Sequence, residues 1–160
     1  MKIVIRQRPK DLLSLVTGQD MDTAVRTAYG EVRGEFRDGW QAFFNVLINR
    51  HLADIHEDNK PDWWGESLHE VCLKPWQFSC WNAGDPNREK CVGLGRSSVE
   101  YLRLQAMLVQ CLDGWLPNNV HLCTHYKVSG LPMPESWAGL EPWGAIGRHT
   151  FFYYPEAHFG

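Results

Sequence analysis

The sequence predicts an α+β fold, mainly helical, with one central buried helix and a small antiparallel β-sheet near the C-terminus. Three observations carry that expectation. Apolar side chains surround a helical repeat between Trp40 and Ile55. A capping pair, Ser97 and Glu100, opens a long amphipathic run that Gly114 should close. Val120 to Val128 then alternates with period two, and His149 to Tyr154 offers a partner strand.

Size and charge narrow the possibilities. A chain of 160 residues with 44% hydrophobic content has material for one core, so residues 1–160 are expected to form a single domain, and a monomer. The net charge is -3 and the basic residues are scattered, which argues against a nucleic-acid binder that neutralises phosphates. The start of the chain is broken by Arg6, Arg8, Pro9, Lys10 and Asp11, so no apolar run reaches the length of a signal peptide or membrane span. The expectation is a protein made in the cytoplasm without an export signal, and no membrane insertion. Five cysteines, Cys72, Cys80, Cys91, Cys111 and Cys123, include no C-x-x-C pair and fit reduced, partly buried thiols.

In chain order, Ile3 to Ile5 reads as a short strand and Asp11 to Val16 as one helical turn. Asp22 to Val32 places Met21, Val25, Ala28, Tyr29 and Val32 at helical spacing, with Asp20 or Asp22 as cap and Gly34 as stop. The central helix follows, with Trp40, Phe43, Phe44, Leu47, Ile48 and Ile55 on one face and Ala42, Val46 and Ala53 opposite; a helix apolar nearly all round is buried. Gln41, Asn45 and Asn49 form a stripe along it whose amides need partners in each other, in backbone or in a ligand, which suggests a polar line facing a cleft. His56 to Gly65 reads as a polar and aromatic loop, Glu66 to Leu73 as a short helix ended before Pro75, and Gln77 to Asp85 as an ordered loop. Ser129 to Gly147, rich in Gly and Pro and holding Trp137 and Trp143, reads as a surface loop packed by its own aromatics.

Glu31 is the candidate acid. It falls in the last turn of its helix, where the negative end of the dipole and apolar neighbours such as Tyr29 both disfavour a carboxylate, so its pKa should rise. Glu35 is the candidate second carboxylate, although a helix break at Gly34 leaves its distance from Glu31 open. His121, Cys123 and His125 would share one strand face and are permissible zinc ligands, but no fourth ligand at finger-like spacing appears, so no metal is expected.

The motifs Tyr29-Gly-Glu-Val-Arg-Gly-Glu, Gly39-x-Gln-Ala42, Asn45-Val46-x-x-Asn49-Arg50, Phe78-Ser-x-Trp81, Thr124-His-Tyr126, Trp137 and Ile146-Gly-x-His-x-Phe151 stand in one order across about residues 21–154. In that order they resemble the catalytic domain of the SleB/CwlJ-type cell-wall hydrolases, with residues 1–20 as an N-terminal extension. Two positions depart from the family pattern: Val32 replaces the usual alanine, and His121-Leu-Cys123 replaces a Gly-rich run before Thr124. The resemblance implies a lysozyme-like fold, cleavage of peptidoglycan glycan strands, no cofactor, and Glu31 as the catalytic acid. Gln77, Ser79, Trp81, His125 and Tyr126 would line the saccharide groove, aromatics on sugar faces and polar groups on N-acetyl and hydroxyl groups. A lone catalytic domain of this type resembles a phage or gene-transfer-agent lysin released to the wall through a holin. A single acid favours lytic transglycosylation over hydrolysis. A noncatalytic wall-binding module and a zinc-dependent amidase or peptidase are the competing readings.

Overall fold

The computed structural model of the chain describes residues 3–56 and 64–160. Among these residues the order is β1 (Ile3–Ile5), α1 (Gly18–Val32), α2 (Arg37–His51), β2 (Ala53–Asp54), α3 (Leu68–Leu73), α4 (Pro86–Gly93), α5 (Val99–Leu112), β3 (His125–Val128), β4 (Glu141–Ile146), β5 (His149–Tyr153) and β6 (Ala157–Phe159). Short 3-10 turns lie at Leu12–Leu15, Ser79–Trp81 and Glu135–Trp137. The expected α+β class, mainly helical with a central buried helix, holds.

Helix α2 is that centre, and its all-round apolar surface has a physical reason. Phe43, Phe44, Leu47 and Ile48 enter the main core shared with α1, α3 and α5, while Ala42 and Val46 meet Val120, Cys123 and Phe151 beneath the C-terminal sheet. Small residues are needed on that second face because the sheet lies close. Each large side chain so buried contributes about 1.5–3 kcal/mol. The helix ends at His51, and Ala53 and Ile55, expected on its faces, lie beyond it. Ala53 instead pairs antiparallel with Ile5 of β1.

Helix α1 starts earlier than its apolar pattern indicated. Thr17 is the cap: its hydroxyl accepts from the Asp20 amide at 3.1 Å and the Asp20 carboxylate accepts from the Thr17 amide at 3.0 Å. Such a reciprocal cap stabilises the first turn by roughly 1 kcal/mol. At the other end Gly34 makes no left-handed stop. Arg33 keeps helical angles, and the Glu35 amide donates to Val32 O at 2.9 Å, so a tight turn separates α1 from α2. Helix α5 is capped by Ser98, one residue later than expected, and Gly114, at φ +81°, follows it as a turn residue.

Helix α4 was hidden in the sequence by its exposed face. Asp85 caps it, accepting from the Asn87 amide at 2.8 Å, and Pro86 fits the first helical position, where its missing N–H costs nothing. The expected helix ahead of Pro75 is α3. The expected loop from His56 to Gly65 lies largely outside the described residues.

Two three-stranded sheets complete the fold, with orders β3-β5-β4 and β2-β1-β6. The pairing of the His149 strand β5 with β3 is as expected, but β3 is only four residues long. Residues 120–124 turn instead, with His121 at φ +51°, so His121, Cys123 and His125 do not share one strand face. His121 packs edge-on against Phe159, whereas Cys123 is buried in the cluster under the sheet. The Ser129–Gly147 loop is in its second half the edge strand β4, paired with β5 across Gly147. Pro142 and Gly144 interrupt its alternation, which is why periodicity missed it. Strand β6 pairs parallel with β1 and ties the two ends of the described chain together.

The amide stripe on α2 serves this turn and not a cleft. Asn49 Nδ2 donates to the carbonyls of His121 (2.8 Å) and Cys123 (2.9 Å), and Asn45 Nδ2 to Pro117 O and Asn119 Oδ1. Gln41 donates to Pro117 O, and the Arg8 guanidinium donates to both Asn45 and Asn49. Backbone was the partner that buried amides required. All five cysteines are buried and free. No helix among the described residues is long and apolar enough to cross a membrane.

Candidate active site

Glu31 occupies the last turn of α1, half-buried, facing the Ser79–Trp81 turn. The Cys80 amide donates to Glu31 Oε1 at 3.5 Å, a long contact, and the Cys80 thiol is a second donor. Burial raises the proton affinity of Glu31, and this outweighs the Cys80 donors and the Arg50 cation; the Asp85 carboxylate pushes in the same direction as burial. The proton affinity of this candidate acid is raised chiefly by desolvation.

Arg50 forms the floor beside it. Its side chain is buried, Nε donates to Thr124 O at 2.7 Å, and Nη1 finds no hydrogen-bond partner among the described residues. The guanidinium lies 5.0 Å from the Phe78 ring centroid and 5.4 Å from that of Trp64, and burial pushes its pKa down to about 10. A cation so desolvated and near Glu31 favours the ionised carboxylate more strongly than a solvated one. It opposes the effect of burial on Glu31 without offsetting it.

Of the expected groove residues, Tyr126 and Trp81 are tied to this site. Burial, with Glu31 close by, pushes the Tyr126 phenol well above its usual range. Its ring packs edge-on against Phe43 and His149 and tilts onto Phe151. Trp81 donates from Nε1 to Thr27 Oγ1 at 2.9 Å, one helical turn before Glu31, and Thr27 in turn donates to Thr23 O. These bonds hold the Cys80 turn against α1. Gln77 is half-buried and Ser79 exposed, on either side of the buried Phe78.

His125 is placed differently from a solvated saccharide contact. It is buried among Trp64, Trp137 and Tyr154, shares a hydrogen bond with Thr124 Oγ1 at 2.9 Å, and is held neutral, its pKa pushed down to about 3 by burial and by Arg50. Its surroundings suit a wall that positions Arg50.

Glu35 is engaged elsewhere. Its side chain is 4% exposed, His149 Nδ1 lies 2.7 Å from Oε1, the Arg148 amide donates at 3.3 Å, and Arg148 Nε lies at 3.6 Å. Gly147, at φ +57°, lets the β4–β5 turn approach: a Cβ there would sit 2.9 Å from Glu35 Oε2. Glu35 thus clamps that turn to the start of α2, and through His149 supports the Tyr126 ring. Arg50, Cys80, Asp85 and His149 were not singled out from the sequence as chemistry. Arg50 and His149 lay inside quoted motifs, but only the fold shows that one is buried beside Glu31 and the other bonded to Glu35.

A separate recess of about 720 Å³ lies between α1, α3 and α5, lined by Asp22, His69, Arg96 and Tyr101. Burial there would raise Asp22, but hydrogen bonds from Tyr101, Arg26 and Arg96 hold its carboxyl below the usual range, so it is no proton donor.

Comparison with known proteins bears on the fold and the family. The crystal structure of the catalytic domain of the Bacillus cereus SleB protein superposes with a TM-score of 0.61 at 18% identity, covering 85% of this chain and 91% of that one. At that identity the likeness concerns the fold. No curated protein matches the chain. Residues 34–152 match the family model described as Cell Wall Hydrolase; the match begins three residues after Glu31 and takes in Glu35, Arg50, the Cys80 turn and the β3-β5-β4 sheet. The chain belongs to the cell wall hydrolase family.

Proposed function

We propose that this cell wall hydrolase cleaves the β-1,4 bond between N-acetylmuramic acid and N-acetylglucosamine in peptidoglycan, with Glu31 as the acid and then the base. The observation that carries this reading is the desolvated Glu31 carboxyl, protonated more readily than an ordinary glutamate and flanked by donors and a cation. Breaking a glycosidic bond requires a proton on the leaving oxygen, and a carboxyl of raised pKa is the usual source. Positioned proton transfer of this kind supplies about 10² to 10⁴ in rate.

Glu31 donates its proton to the leaving oxygen as the bond to C1 breaks with oxocarbenium character. The resulting carboxylate is stabilised by the Cys80 amide and by the Arg50 charge. It then withdraws the proton of the C6 hydroxyl, whose oxygen closes on C1 to leave a 1,6-anhydro end. Lytic transglycosylation is favoured over hydrolysis because Glu35 is occupied by His149 and Arg148 and so is poorly placed to act as a nucleophile. Tyr126 and Trp81, with Gln77 and Ser79 at the margin, form the sugar-facing wall.

Digestion of purified cell walls tests this directly. The released muropeptides should carry anhydro ends, one water lighter than hydrolytic products, and Glu31→Gln should release none. Reducing ends from the wild type would assign hydrolysis, with Asp85 the carboxylate to examine next. New amino termini together with inhibition by chelators would replace the glycosidase reading by a metal-dependent peptidase or amidase. Delivery through a holin-type membrane pore, as in a phage lysin, is part of the same proposal. Cells expressing the protein should then lyse only when a pore-forming partner is co-expressed.

A further inference from the structure

Cys80 and Cys91 meet in a space that Gly30 leaves open. A Cβ built on Gly30 would lie 2.5 Å from Cys91 Sγ, 2.6 Å from Cys80 Cβ and 2.9 Å from Cys80 Sγ, so both sulfurs converge on one point. Both sulfurs therefore pack on the residue immediately before the proposed general acid; the Cys80 amide donates to the Glu31 carboxylate, and the single Cys80 S–H can serve that carboxylate or Cys91, one at a time. Cys91 is the one buried side chain of α4, whose other residues are exposed or half-buried. That short helix is held by Arg26, which donates to the Cys91, Val92 and Leu94 carbonyls, and by Arg33, which donates to Asn87.

We propose that Cys80 and Cys91 are a reversible oxidation site, closing to a disulfide that withdraws the Cys80 S–H from the neighbourhood of Glu31. The functional half of this proposal rests on the assignment of Glu31; the formation of the bond does not.

The chemistry needs a low-molecular-weight disulfide such as oxidised glutathione. Cys91 is the attacking thiol: the Cys80 S–H, when turned to it, lowers its pKa and the nearby Arg33 charge acts in the same direction, whereas burial pushes Cys72, Cys111 and Cys123 up to about 12. The Cys91 thiolate attacks one sulfur of the reagent and expels its other half as a thiolate, which takes up the proton that Cys91 gave. The Cys80 sulfur then attacks Cys91 Sγ and expels the second thiolate, which takes the Cys80 proton. Two thiols are oxidised and one reagent disulfide is reduced to two thiols. Access comes with local opening of α4, which exposes little apolar surface because only Cys91 is buried there.

In the reduced protein the Cys80 S–H is available to the Glu31 carboxylate and, when turned to it, holds its proton affinity down. In the disulfide that donor is gone. The pH at which activity fails as Glu31 loses its proton therefore rises on oxidation.

The test treats the native full-length protein with oxidised glutathione and maps peptides without reduction. The expected result is a Cys80–Cys91 cross-link, lighter by two hydrogens and reversed by dithiothreitol, with Cys72, Cys111 and Cys123 still alkylated. The alkaline limb of wall clearing should move upward on oxidation and return on reduction, and Cys91→Ser should lose both the cross-link and the shift. Absence of the cross-link in the wild type overturns the site, whatever the Cys91 variant does. A cross-link that forms without moving the limb overturns the coupling to Glu31. Failure of the Glu31 assignment itself shows separately, as activity retained in Glu31→Gln.

Discussion

Removing the Glu35 carboxylate separates a structural acid from a chemical one. Its contact with His149 joins side chains 4% and 12% exposed, and a hydrogen bond of that kind to a charged group contributes roughly 1.5–3 kcal/mol. The Arg148 side chain is 72% exposed, so that pair adds at most about 1 kcal/mol. Glu35→Ala also strands the His149 donor and the Arg148 amide, bringing the expected loss to roughly 3–4 kcal/mol. At roughly 2–4 °C per kcal/mol for a chain of this size, the midpoint should fall by about 10 °C. Glu35→Gln can still accept from both donors and should lose only about 1 kcal/mol. Thermal unfolding followed by circular dichroism, with wall clearing assayed well below the midpoint, reads both quantities. Clearing by Glu35→Gln should stay within a few-fold of the wild type. Should that variant unfold like the wild type yet release nothing from walls, Glu35 takes part in the chemistry and the clamp reasoning is wrong.

Three further outcomes follow from the same geometry. Gly30→Ala forces a methyl against two sulfurs and should cost about 1–3 kcal/mol by overpacking, a loss that Cys91→Ala in the same chain should partly restore in thermal melts. Asn49→Ala leaves the Cys123 carbonyl without its donor, while the His121 carbonyl keeps Asn118 Nδ2, and should cost roughly 1–2 kcal/mol without altering the pH profile of clearing; a changed profile would return the amide stripe to the substrate groove. Burial raises the folded-state pKa of Glu31 above its unfolded value, so its contribution to stability is complete below the ordinary carboxylate range and is lost as pH rises through the raised pKa. Activity should fall through the same window, and Glu31→Gln should melt no lower than the wild type at neutral pH.

Much of this was legible because α2 satisfies two demands at once. A helix that packs helices on one side and a sheet on the other must be apolar all round, and the alternation of large Phe43 and Phe44 with small Ala42 and Val46 recorded both partners. The raised proton affinity of Glu31 was legible for a similar reason, since a carboxyl at a helix end among apolar residues is costly, whereas its candidacy as the acid came with the family resemblance. What escaped depended on contacts distant in sequence. The Asn45 and Asn49 amides needed partners, but only the fold shows that these are carbonyls some seventy residues away. Strand β4 escaped because an exposed edge with Pro142 and Gly144 has no reason to alternate, and α4 because a helix anchored by Cys91 alone shows no apolar stripe. The Thr17 cap lay outside the apolar repeat, so the repeat placed the start of α1 too late.

The release of soluble muropeptides from purified walls by Glu31→Gln is the most direct measurement. A folded variant that frees none, beside a wild type that frees anhydro-ended fragments, is the expected result. Fragments appearing at the wild-type rate would mean that the proton comes from another group.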